Sequence, residues 1–139
     1  MADTFDKVKR SEIMSKVHGK NTTPEIIVRR ILFGLGYRYR LHRKDLPGKP
    51  DIVLPKYKTI INVNGCFWHG CPHCKHAQVR PATNQEYWNK KLDGNIARDR
   101  ENQYMLEKSG WKVLVVWECE TKKKKLELLT AKLQEFLSP

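Results

Sequence analysis

The chain has 139 residues, 27 of them Lys or Arg against 15 Asp or Glu, giving a formal net charge of +12 and a pI near 9.7. That length suits one domain, 1–139, burying about two-thirds of its unfolded surface; no stretch approaches the ~20 apolar residues of a membrane span, and Met1 to Lys7 lacks the apolar run of a signal peptide, so a cytoplasmic protein with no membrane partner is expected. The charge excess, twelve basic against five acidic side chains in the first fifty residues alone, is the footprint of a protein that neutralises phosphates.

In chain order, residues 1–20 read as an arm, with a short helix over Arg10–Val17 that puts Ile13, Met14 and Val17 on one side. Thr22-Thr23-Pro24-Glu25 opens the first secure helix, with Thr as N-cap, Pro in the first turn and Glu where the helix dipole favours an anion. Gly34 and Gly36 stop it, and Ile27, Val28, Ile31, Leu32 and Leu35 mark its core face. Tyr37–Leu41 alternates like a half-buried strand. Asp51–Leu54 and Thr59–Asn64 read as a hairpin joined by Pro55-Lys56-Tyr57-Lys58. Thr83-Asn84-Gln85-Glu86 has the form of a capping box, and the helix it opens runs to Ser109-Gly110, weakened at Gly94. Trp111–Trp117 is apolar enough for a strand buried on both faces, and Lys122–Leu137 forms a last amphipathic helix opened by four lysines, which read as a solvated face. The expected architecture is α/β: a mixed sheet flanked by helices.

Gly65-Cys66-Phe67-Trp68-His69-Gly70-Cys71-Pro72-His73-Cys74 is the densest chemical signal. Cys66, Cys71 and Cys74 fall at metal-ligand spacing, and Cys119 can complete a tetrahedral thiolate site for a structural Zn²⁺ between the hairpin exit and the end of the last strand. Two disulfides or four unrelated buried thiols are the competing readings, and a reducing compartment disfavours the first. His73 in place of Cys71 is an alternative fourth ligand.

Pro47-Gly48-Lys49-Pro50-Asp51 is a rigid polar turn that delivers a carboxylate to the start of an apolar strand. An Asp there is most often a turn residue, but in a basic cleft it is also what a hard Mg²⁺ needs. If the hairpin pairs, Val63, Asn64 and the Cys66–His69 loop come to the same end of the sheet as Asp51. Four cysteines satisfy zinc and leave both His69 and His73 unassigned; His69, between the aromatic pair and the metal-binding turn, is the preferred group to take a proton from an attacking water. Phe67 and Trp68 lie in a Gly-bounded loop among polar groups, unlike Trp111 and Trp117, which sit in the apolar strand and read as core.

At these residues the chain resembles the very-short-patch-repair (Vsr) mismatch endonucleases. The resemblance rests on Asp6-Lys7, Arg10-Ser11 and Met14, Glu25, Leu46–Asp51, Gly65–His69, Tyr87-Trp88, Asn95 with Arg98-Asp99, and Gly110-Trp111 through Trp117-Glu118-Cys119. It implies a restriction-endonuclease-like core and a Mg²⁺-dependent enzyme that nicks one strand of double-stranded DNA 5′ of the thymine in a T:G mismatch left by 5-methylcytosine deamination. Asp51 would be the metal-ligating carboxylate, the Val63 carbonyl a further Mg²⁺ ligand, His69 the general base, and Glu25 and Asp99 acidic supports. Phe67, Trp68 and Trp88 would form a wedge entering the base stack from the major groove, with Met14 inserting from the minor groove. Lys91 and Asn95 match positions that read base edges and the mispair. A mismatch-repair coordinator and a cytosine-5 methyltransferase are the partner proteins implied.

Two positions depart from the family's pattern. Asn64 stands where better-known members have a His near the metal-bound water; an amide hydrogen-bonds but cannot titrate, which leaves more to His69. In the zinc loop a ligand His becomes Cys71, with one extra residue before Cys74. The rival from another class is a zinc-stabilised module that binds distorted DNA without cutting. A dimeric restriction-type nuclease is disfavoured because Asn62-Val63-Asn64 stands where Glu-x-Lys would be needed. An asymmetric mismatch needs no two-fold axis, so a monomer is expected.

Overall fold

Helix α1 spans Thr23–Gly34, with Thr22 as N-cap accepting the Glu25 N–H at 3.4 Å and Pro24 in the first turn, where its missing N–H costs nothing. The computed structural model describes residues 22–75 and 79–138; the expected arm with its Arg10–Val17 helix, Met14 included, lies outside the described residues. Of the expected core face, Val28 and Leu32 are fully buried and Ile31 packs beside them. The helix ends at Leu35, and Gly36 turns the chain away at φ +96°.

Four strands form one sheet in the order β1 (Arg40–Leu41), β2 (Ile52–Leu54), β3 (Thr59–Asn64), β4 (Lys112–Trp117). β1 pairs antiparallel with β2, matching Leu41 to Ile52. It is shorter than the alternation from Tyr37 predicts. β2 ends at Leu54 before Pro55, so residues before Tyr39 have no strand to pair with, although Tyr37 and Tyr39 still pack on the core. The β2–β3 hairpin forms as expected, with a 3₁₀ turn at Pro55–Tyr57 and Lys58 left-handed at φ +50°.

A short helical turn, α2, follows at Cys66–His69, and the long helix α3 runs from Gln85 to Lys108. α3 passes unbroken through Gly94 and closes at Ser109-Gly110, Gly110 at φ +94°. The expected capping box does not form. The helix starts one residue late, on Asn84, whose left-handed φ of +55° cannot supply the extended N-cap the box requires.

The crossover through α3 makes β4 parallel to β3, Val63 beside Val116 and Asn64 beside Trp117. β4 corrects the expectation of a strand buried on both faces: among the described strands it is an edge, and only Val116 is fully buried. Helix α4 covers Leu126–Leu137, and Lys123–Lys125 form a separate exposed 3₁₀ turn before it. The lysine run thus precedes the helix, with Lys125 as its N-cap, so its cations still stand at the positive end of the dipole, exposed to solvent.

Side chains alternate across the sheet as the pleat requires. Ile52, Leu54, Ile61 and Val116 face Val28 and Leu32 of α1 and Leu129, Leu133 and Leu137 of α4. On the other face Val53 and Ile60 meet Leu106 of α3, with Leu46, Trp111 and Val113 alongside. A mixed sheet flanked by helices is therefore the observed architecture, and it delivers the start of β2 and the ends of β3 and β4 to one edge.

Candidate active site

The hairpin register fixes Asp51. With Ile52 opposite Ile61, the next residue out faces Asn62, whose Oδ1 accepts the Asp51 N–H at 3.2 Å. The Asp51 carboxylate turns in, and Oδ2 accepts the Val63 N–H at 2.9 Å. Burial pushes this carboxyl up from 3.8 to about 6; the Val63 hydrogen bond opposes the rise and neighbouring Glu25 adds to it. A desolvated carboxylate beside a second acid is a group that a cation would stabilise.

Glu25, in the first turn of α1, is only 2% exposed. Its Oε2 accepts from Arg29 Nη1 at 3.2 Å, and both its oxygens accept from His42 Nε2, at 3.0 and 3.1 Å. Ligand atoms of Glu25, His42 and Asp51 lie within 4.8 Å of one another. Two carboxylates and the nearby Val63 carbonyl make an oxygen donor set that fits a hard divalent cation such as Mg²⁺, while the His42 ring gives its Nε2 hydrogen to Glu25. His42 was not singled out in the sequence, because no motif or periodicity marks it; its partner is seventeen residues away.

Residues 66–69 were expected as a loop and instead form a helical turn. Gly65 is its N-cap, and Gly70 closes it at φ +70°, its N–H bonded to the Cys66 carbonyl. The turn holds His69 so that Nδ1 meets Asp99 Oδ2 of α3 at 2.6 Å. With Nδ1–H given to the carboxylate, Nε2 is the acceptor nitrogen of the neutral ring.

Asp51, Val63, Asn64, His69, Asp99 and Trp68 line one cleft of about 850 Å³, with Lys91 and Asn95 on its α3 wall. Asn95 Nδ2 donates to the Trp68 carbonyl at 3.1 Å, and its Oδ1 accepts from Arg98, so this amide braces α2 from the α3 wall of the cleft. Beside the cleft Phe67, Trp68 and Trp88 form a ring cluster with centroids 5.3 to 5.9 Å apart. Tyr87, which the resemblance marks without giving it a role, extends the cluster at 5.3 Å from Trp88 and is largely exposed. Trp111 packs with the core and Trp117 against the cysteines, as expected of the two strand tryptophans.

Cys66, Cys71 and Cys119 are buried with their sulfurs within 4.8 Å of one another, and half-buried Cys74 packs against them. All four are free thiols. Cys71 and Cys119 Sγ stand 3.8 Å apart, the edge of a tetrahedron with Zn–S bonds of about 2.3 Å. Backbone N–H groups of Cys119 and His73 donate to Cys66 and Cys71 sulfur, at 3.3 and 3.4 Å, as they would to thiolates. The set fits zinc. The His73 side chain is exposed, whereas Cys71 is buried in the sulfur cluster. Burial pushes the Cys66 and Cys119 thiols up, so a metal would have to displace protons to bind.

Residues 2–76, over half of the chain, match the family model described as DNA mismatch endonuclease Vsr. The chain belongs to the Vsr family. The Type II nicking enzyme V.NmeAIP of Neisseria meningitidis serogroup A is 49% identical over 124 residues, covering 89% of this chain and 87% of that protein. V.XorIIP of Xanthomonas oryzae, also a Type II nicking enzyme, is 45% identical over 139 residues, covering 100% of this chain and 99% of the other. DNA mismatch endonuclease Vsr of Escherichia coli is 40% identical over 140 residues, covering 99% and 88%. Among solved structures, the catalytic domain of the homing endonuclease I-Bth0305I aligns with a TM-score of 0.54 at 24% identity, over 84% of this chain and 94% of that one. That last likeness is one of fold alone, a mixed sheet flanked by helices. Vsr membership makes the chain an endonuclease acting on DNA, and displaces the reading of a non-catalytic binding module. No helix among the described residues is long and apolar enough to cross a membrane.

Proposed function

We propose that this chain is a Mg²⁺-dependent endonuclease that nicks one DNA strand 5′ of the thymine in a T:G mismatch, as 5-methylcytosine deamination leaves, and so initiates very short patch repair. The observation that carries the proposal is the convergence of the Asp51 carboxylate and the His69–Asp99 pair on one cleft beside the Phe67–Trp68–Trp88 cluster.

Asp51 and the Val63 carbonyl would hold Mg²⁺, with Glu25 in support. The ion supplies Lewis-acid stabilisation of the charge that builds on the phosphodiester oxygens. His69 takes a proton at Nε2 from a water as the water oxygen bonds to phosphorus and the bond to the leaving sugar oxygen breaks. Asp99 holds the ring in the tautomer that leaves Nε2 basic, and its charge stabilises the imidazolium that forms. Asn64 orients the water through its amide and takes no proton.

Phe67, Trp68 and Trp88 act as the wedge. Unstacking costs a few kcal/mol per step and least at a mispair, so insertion converts local weakness of the duplex into selectivity. Lys91 and Asn95 face the mispair from the α3 wall of the cleft, and Met14 would enter from the minor groove. Cys66, Cys71, Cys74 and Cys119 hold a structural Zn²⁺ that fixes α2, and with it His69, to the end of β4. A monomer suffices for this reaction.

The test is gel-resolved cleavage of labelled duplexes, T:G against C:G at one position across several flanking contexts, with Mg²⁺ or EDTA. A Mg²⁺-dependent nick on the T strand, lost in Asp51→Asn while binding of the mismatched duplex persists, is the expected result. Equal cutting of T:G and C:G, or cutting that survives EDTA, would sink the proposal.

A further inference from the structure

We propose that His42 is a positioning residue for the active-site acids, holding Glu25 through its side chain and Asp51 through its backbone so that the two stay at cation-binding separation. The inference rests on the reading of Asp51 as a cation ligand given above.

His42 sits where the β1–β2 ladder runs out. Its N–H donates to the Asp51 carbonyl at 3.0 Å, the last rung before the chain departs, so Asp51 is tied to His42 on one side and to Asn62 and Val63 on the other. At φ +49° the backbone is left-handed, a conformation that His, Asn and Asp tolerate better than most residues and that Gly adopts freely. That bend carries the ring back over α1, where Nε2 reaches both oxygens of Glu25 at 3.0 and 3.1 Å. Arg29, one turn along the same helix, donates to Oε2 at 3.2 Å. The shared Nε2–H of His42 fixes where the carboxylate sits, and the off-axis Arg29 contact fixes its rotation. His42 is therefore the group that references Glu25, on a helix, to Asp51, on the sheet, and the three ligand atoms end within 4.8 Å of one another. Of the residues at ease in this backbone conformation, His has the reach to Glu25.

A purely structural role for His42 would cost stability and leave cation affinity alone. The deciding measurement is Mn²⁺ binding to the intact protein without DNA, followed by electron paramagnetic resonance, with thermal melts of each variant. His42→Asn and His42→Gly both suit the left-handed backbone and withdraw the ring, and each is expected to weaken Mn²⁺ binding about tenfold, the scale found when groups behind metal ligands are removed. His42→Gln, whose amide can still reach Glu25, is expected to bind close to wild type. In a Glu25→Gln background, His42→Asn should add no further loss. Wild-type Mn²⁺ affinity in folded His42→Asn and His42→Gly overturns the proposal, whatever happens to their melting temperatures. Asp51→Asn separates the two levels of failure. If it abolishes Mn²⁺ binding while the His42 variants bind normally, only the role of His42 falls; if it leaves binding intact, the cation site itself is misplaced and this inference falls with it.

Discussion

His69 Nδ1 and Asp99 Oδ2 stand 2.6 Å apart, joining the last residue of α2 to the middle of α3. Because the carboxylate only accepts, the contact dictates which ring nitrogen carries the hydrogen. Asp99→Asn can offer an N–H to Nδ1 instead and so select the opposite tautomer, with Nε2 protonated and useless as a base. We expect single-turnover nicking of a T:G duplex to slow by ~10²-fold or more, within the range general-base catalysis supplies, with duplex affinity in EDTA unchanged. Undiminished single-turnover rates would mean that His69 is not the base.

Gly70 is required twice over. Its φ is +70°, and a Cβ there would meet Ile96 Cδ1 at 2.6 Å. Gly70→Ala should destabilise the protein by roughly 1–3 kcal/mol through left-handed strain and overpacking together. Adding Ile96→Val deletes the atom met first, and should recover the packing part of the loss but not the backbone part. Urea unfolding of the single and double variants makes the separation.

The raised Asp51 carboxyl sets a pH dependence for metal-free protein. Below about 3.8 the group is protonated in both folded and unfolded chains and carries no penalty. As pH rises toward about 6 the unfolded chain releases this proton first, so stability falls across that window and levels off above it. The shift corresponds to roughly 3 kcal/mol against the ionised form. In EDTA, Asp51→Asn should gain on wild type as pH climbs through the window, read as the difference between their melting temperatures. A constant difference from pH 4 to 7 would contradict the buried-carboxyl account.

Cys119→Ser tests the staple between α2 and β4. Purified wild type is expected to carry one zinc per chain and the variant close to none, with a lower melting temperature and impaired nicking because Cys66 and His69 share the same helical turn. Metal analysis of both proteins checks this directly; equal zinc in the two would remove Cys119 from the ligand set.

Much of the site was legible because strand pairing is a short-range inference. Once Ile52 pairs within Thr59–Asn64, Asp51, Val63 and Asn64 must gather at one end of the sheet, and the Cys66–His69 segment must follow. Metal spacing likewise brought Cys119 to Cys66 and Cys71 from across the chain. What escaped depends on backbone conformations that side-chain patterns do not encode. The left-handed turns at His42 and Asn84 respectively aim an imidazole at Glu25 and cancel a capping box. Four residues between glycines are too few for helical periodicity, so α2 passed for a loop. An apolar run does not say whether its strand lies at the centre or the edge of a sheet, and β4 is an edge among the described strands.

The parallel pairing of β3 and β4 also governs when the site can come into being. Asp51, His69 and three of the cysteines are all made early, but Cys119 and the strand that flanks β3 come only after the whole of α3. A ribosome-bound chain that has not yet emitted β4 holds the acid and the base on an unsupported hairpin, facing no finished cleft. The site is thereby completed only once β4 has been made, and a chain truncated before Lys112 should lack both the finished cleft and the ability to cut DNA.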